Sequence, residues 1–203
     1  MLSASIFSVL LLGFSSGVIH AFDADHLAAV SGLSGRDQGR RSYQFALHWG
    51  FGHGLAVIIV ASAVYLLGAA IPVKFSMFAE ALVGWMLIAV GALTFYHLWQ
   101  QHHRHDTNQS NHPHALWIGL IHGSAGSATL LAVMPALGLA NPALGMMHVM
   151  IFNVGLILAM ALVGVTLRGG LSAAGRYHDL MRLFLQSIFA SFAVGFGIFR
   201  LLS

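Results

Sequence analysis

Three stretches of this chain contain no Asp, Glu, Lys or Arg: Met1–Phe22, the residues between Arg41 and Lys74, and those between Asp106 and Arg168. A helix needs about 20 apolar residues to cross a bilayer, and in lipid only helices or closed barrels satisfy their own backbone polar groups. Charged residues make up 7% of the chain and hydrophobic ones 58%, whereas soluble domains carry about 25% charged residues. The chain therefore reads as an all-α integral membrane protein. Apolar runs predict six spans at 4–33, 43–70, 76–100, 115–138, 143–167 and 180–202, with Pro72, Pro113, Pro135 and Pro142 at or near their ends. The first run lacks a basic n-region and leads straight into charged residues rather than a cleavage site, so it reads as a span and not a signal peptide.

The halves repeat within what reads as one transmembrane domain, 1–100 and 115–203 joined by the loop 101–114. GVIH at 17–20 recurs as GLIH at 119–122, Phe51-Gly-His-Gly-Leu resembles Phe152-Asn-Val-Gly-Leu, and Ala89–Leu98 resembles Ala193–Leu202, at offsets of 102, 101 and 104. Each half holds an odd number of spans, so the second runs inverted, giving two inverted three-helix repeats, a transporter arrangement with its site near the midplane. Connections 1–2, 3–4 and 5–6 hold Arg36, Arg40, Arg41, Arg104, Arg168, Arg176 and Arg182, against Lys74 and Arg200 on the other side. The positive-inside rule then puts those connections in the cytoplasm and both termini outside.

Into this apolar background the segment HAFDADH inserts His20, Asp23, Asp25 and His26. Ionisable groups at bilayer depth are costly and mark functional pathways. Imidazole mixed with carboxylate suits a divalent first-row metal, since Ca and Mg prefer all-oxygen shells. On an ideal helix at about 100° per residue, His20, Asp23 and His26 share one arc and Asp25 points elsewhere. Either Asp25 serves a second partner or the helix is distorted. The plain alternative for each histidine is a hydrogen bond across a helix interface.

Further candidates lie along the chain. His53 stands between Gly52 and Gly54, which allow close approach of a backbone or an ion, and His48 lies nearer the cytoplasmic end. His122 occupies the repeat position of His20, within a run of small residues and with Ser124, Ser127 and Thr129 nearby. His148, among Met146, Met147 and Met150, reads as a ligand on an outer approach. The loop QHHRHDTNQSNHPH contains His102, His103, His105, His112 and His114, an enrichment that suggests metal sensing or buffering. Cysteine is absent, which excludes disulfides, thiolate ligands and thiol catalysis. No aromatic-interleaved basic patch suggests nucleic acid.

HAFDADH resembles the H-x4-D-H signature of the nickel/cobalt transporter family. That resemblance implies metal binding by His20, Asp25 and His26, with Asp23 fitting a longer form of the motif. WGFGHG partly matches the family's next motif, agreeing at Gly52 and His53, and IHGSAGSA at 121–128 looks like the six-helix UreH-like and HupE-like branch. The branch implies Ni2+, with Co2+ as the other ion, no organic cofactor, a prokaryotic cytoplasmic membrane with lipid around it, and urease or hydrogenase maturation proteins as partners. A His-rich cytoplasmic loop also occurs in related metal exporters. The expectation is a transporter and not an enzyme, since no separate general base stands near a substrate cavity. The alternatives are a non-transporting accessory protein that hands nickel to a maturation factor, and an exporter.

Overall fold

Helix is the element at nearly every position of the computed structural model, which describes residues 2–34, 42–67, 73–103, 114–125, 132–133, 135–139, 141–177 and 179–202. No strand occurs among them. The helices are α1 (Leu2–His20), α2 (Ala24–Ser34), α3 (Ser42–Leu67), α4 (Val73–His103), α5 (His114–Gly123), α6 (Pro142–Tyr177) and α7 (Asp179–Leu202). Segments Tyr43–Tyr65, Val73–Gln100, Pro142–Arg176 and Asp179–Leu202 are long and apolar enough to cross a membrane. The pair Ile6–His20 and Ala24–Ser31, bent by 54°, makes a fifth if counted as one span.

Three of the expected spans differ from what is observed. The run 4–33 is not one helix, because the backbone turns over 21–23, where Phe22 N–H bonds Ile19 O and Asp23 N–H bonds His20 O. Asp is favoured at such turns and caps, and here Asp23 directly precedes α2, its carbonyl accepting the Leu27 N–H. The run 115–138 is likewise not continuous: α5 ends at Gly123. Its ten residues rise only about 15 Å, half of a hydrocarbon core of about 30 Å. Finally, α6 continues past 167 to Tyr177, so Arg168 and Arg176 stand on a helix rather than in a loop. Leu171 and Ala174 bury on one face of that extension, and Arg168 lies over the Tyr43 ring at 5.8 Å. The start of α6 follows the expected chemistry, with Pro142 first and the Asn141 side chain accepting the Ala143 N–H at 3.0 Å. Pro72 and Pro113 lie outside the described residues.

Packing depends on glycine. α1 packs on α6, α3 on both α5 and α6, α4 on α7, and α2 on α7. A Cβ on Gly17 would overlap the Phe152 carbonyl and crowd Leu156 N, and one on Gly119 would overlap the Trp49 carbonyl and crowd His53 N. Backbones meet here without side chains between them, as small residues permit in membrane helices. The two contacts correspond, with Gly17 and Gly119 offset by 102 and their partners by 103. Gly52 against Leu116 and Leu120, and Gly155 against Phe14 and Val18, repeat the same relation. The contacts set Gly52 in correspondence with Gly155, two residues out of step with the sequence match of Phe51 to Phe152. Large apolar side chains such as Phe78, Trp85, Leu162, Phe184 and Phe199 point outward, while Ala46, Ala61, Ala190 and Ala193 fill the interior.

Candidate metal centre

The turn after His20 brings HAFDADH inward as a cup rather than a helical stripe. His20 ends α1, Asp25 and His26 open α2, His53 comes from α3 and His122 from the last turn of α5. All five side chains are buried. Ligand atoms of His20, His26 and His53 lie within 4.8 Å of one another, and so do those of Asp25, His26 and His122. The two groups share His26, whose ring centroid is 4.4 Å from His20, 4.9 Å from His53 and 4.7 Å from His122. Trp49 and Phe152 wall the cluster, Trp49 stacking on His53 at 5.3 Å and Phe152 lying 5.6 Å from His20.

Each carboxylate has a distinct place. Asp23 is 41% exposed and its Oδ2 lies 2.7 Å from His20 Nδ1. The carboxylate holds the proton on Nδ1 and leaves the Nε2 lone pair facing the cluster, the outer-shell arrangement common to metal-ligating histidines. Asp25 Oδ1 accepts the His26 backbone N–H at 3.0 Å, at the favourable N-terminal end of α2. Its Oδ2 lies 3.3 Å from His122 Nε2 and 3.8 Å from Arg200 Nη2. The helix distortion and the second partner for Asp25 therefore both occur.

Buried polar atoms are normally hydrogen-bonded, and exceptions need an explanation. Here the side-chain nitrogens His20 Nε2, His26 Nδ1, both of His53 and both of His122 make no hydrogen bond, His122 Nε2 having only its 3.3 Å contact to Asp25 Oδ2. A group of this composition can replace several waters of a hydrated divalent ion with imidazole nitrogen and one carboxylate oxygen.

The structure thus gathers His20, Asp23, Asp25, His26, His53 and His122 in one place. It does not gather the others. His48 is exposed, its Nδ1–H donating to Gln44 O at 2.7 Å. His148 is buried against α1, its Nδ1–H donating to Val9 O at 3.0 Å, and it joins neither ligand group. α4 runs to His103, but the side chains of His102 and His103, and all of His105, His112, Ser127 and Thr129, lie outside the described residues. Sequence reasoning missed Arg200 at Asp25. The available signal was that Arg200 is the sole charged residue between Leu183 and Ser203.

The chain is 32% identical over 170 residues to the urease accessory protein UreH of Bacillus sp. (strain TB-90), a match covering 76% of this chain and 74% of that relative. It belongs to the UreH family. No protein-family profile matches this UreH-family chain, and no solved structure does.

Proposed function

We propose that this UreH-family protein moves a divalent transition-metal ion, Ni2+ or else Co2+, across the prokaryotic cytoplasmic membrane through the histidine–aspartate cluster. The observation that carries this reading is the set of six unbonded imidazole nitrogens beside a buried carboxylate, inside a bundle whose outward face is apolar. With no cysteine in the chain, the centre offers only nitrogen and oxygen donors, apart from methionine sulfur, and such donors suit Ni2+ and Co2+. His20, His26, His53, His122 and Asp25 are the proposed ligands, and Asp23 orients His20.

The proposed architecture is six spans in two inverted three-helix repeats, α1 with α2 and α5 with the segment after it each forming one span. The corresponding glycine contacts at offsets of 102 and 103 support it, as does the helix break after both His20 and His122. The arginine distribution favours cytoplasmic connections 1–2, 3–4 and 5–6 and outward termini.

A second reading, delivery of nickel to urease maturation without transport, is favoured by the likeness to a urease accessory protein. Ni2+ flux into proteoliposomes separates the two. A transporter carries Ni2+, keeps most of that flux when residues 101–114 are deleted, and loses it in His20→Ala. An accessory protein binds Ni2+ without moving it. Ligating imidazoles must be neutral, so protons compete with the metal. Flux is therefore expected to fall as the medium is made more acid. Undiminished flux in acid, or in His20→Ala, would contradict the proposed site.

A further inference from the structure

The proposed centre contains a cation of its own. Arg200, in the last turn of α7, holds Nη2 3.8 Å from Asp25 Oδ2, the same oxygen that faces His122. The Asp25 side chain is 9% exposed and that of Arg200 20%, whereas that of Asp23, paired with His20, is 41% exposed. Asp25 is thus the one buried carboxylate among the described residues of the cluster. A divalent ion drawn onto Asp25 would meet a guanidinium in a poorly screening interior, where like charges at contact distance repel strongly. One carboxylate cannot balance both.

We infer that Arg200 is a tethered competitor for Asp25: guanidinium and metal ion hold this carboxylate in alternation, and the returning guanidinium drives the ion off the anionic half of the centre. The inference rests on the metal centre proposed above. Arginine suits the task because it keeps its charge and is more weakly hydrated than an ammonium. Its partial exposure leaves room to withdraw, and its place in the last turn of α7 keeps it near the negative end of that helix when it does. The His20, His26 and His53 group contains no carboxylate, so an ion there keeps its ligands while Arg200 occupies Asp25. The shared His26 links the two positions. A competitor of this kind disfavours tight trapping and so speeds release, which a transporter needs.

Calorimetric titration of NiCl2 into the full chain in lipid nanodiscs tests the competition. Arg200→Gln is expected to bind Ni2+ about tenfold more tightly than the parent, because the repelling charge is gone. In an Asp25→Asn background the same change should alter affinity by less than about twofold, the signature of coupling through that carboxylate. Arg200→Met, equally neutral, should repeat the gain, and Arg200→Lys should stay within about threefold of the parent. Unchanged or weaker binding in folded Arg200→Gln would overturn the competition, as would an equal gain in the Asp25→Asn background. Failure of both neutral variants to fold would assign Arg200 a structural role and overturn it too. Absence of Ni2+ binding by the parent removes the metal centre and the competition together, whereas parent binding without the gain removes only the competition.

Discussion

Replacing His26 by alanine is expected to abolish measurable Ni2+ binding while the bundle still folds. His26 is the one side chain common to both ligand groups, with the rings of His20, His53 and His122 all within 5 Å of its own. His20→Ala leaves Asp25, His26 and His122 in place, and His122→Ala leaves His20, His26 and His53. Neither complete group survives His26→Ala. Loss of a group that merely orients a ligand weakens metal binding by about 10- to 100-fold, so loss of the shared ligand should exceed about 100-fold and surpass either single alternative. Titration of the three variants beside the parent, with thermal melting as the control for folding, checks the order. Equal losses in all three would mean one undivided site, and parent-like affinity in His26→Ala would show that the ion binds elsewhere.

Gly119→Ala should damage the protein as severely by a different route. A Cβ at this position overlaps the Trp49 carbonyl and presses on the His53 backbone nitrogen, and neither atom can rotate away as a side-chain tip could. The helices α3 and α5 must separate, carrying His53 and His122 apart with them. Overpacking typically costs 1–3 kcal/mol and occasionally more; a clash with backbone belongs at or above about 3 kcal/mol. Gly169→Ala and Gly170→Ala supply the contrast, because nothing lies within 4 Å of an added Cβ at either. There the better helix propensity of alanine should leave stability equal or higher by up to about 1 kcal/mol. Melting curves in detergent together with Ni2+ titration read both effects. A parent-like melt for Gly119→Ala would refute the close backbone contact.

How far the sequence reveals this arrangement depends on the kind of signal. Helix and a membrane setting follow from charge-free runs, because apolar runs of about 20 residues match a spanning helix, whereas a barrel strand needs only about ten. GVIH recurs as GLIH with His20 and His122 at matching places in the two segments, and the close backbone contacts of Gly17 and Gly119 correspond as well. The orientation of Asp25 is hidden, because a helical wheel assumes a continuous helix and the turn over 21–23 cancels its phase. Arg200 is hidden for another reason. Periodicity reports which face of a helix is apolar but not which distant residue that face meets, and in the sequence Arg200 is a charge near a helix end with nothing to tie it to α2, against which α7 packs. The extension of α6 through Arg168-Gly-Gly reads as a loop because glycine and charge punctuate most sequences, yet burial of Leu171 and Ala174 continues the helix.

The most direct measurement is nickel X-ray absorption on the purified, Ni2+-loaded chain. The expected spectrum shows nitrogen and oxygen neighbours only, with outer-shell scattering from at least two imidazoles that diminishes in His26→Ala. A shell of six oxygens without imidazole scattering would contradict the central claim that the HAFDADH cup, closed by His53 and His122, holds the ion.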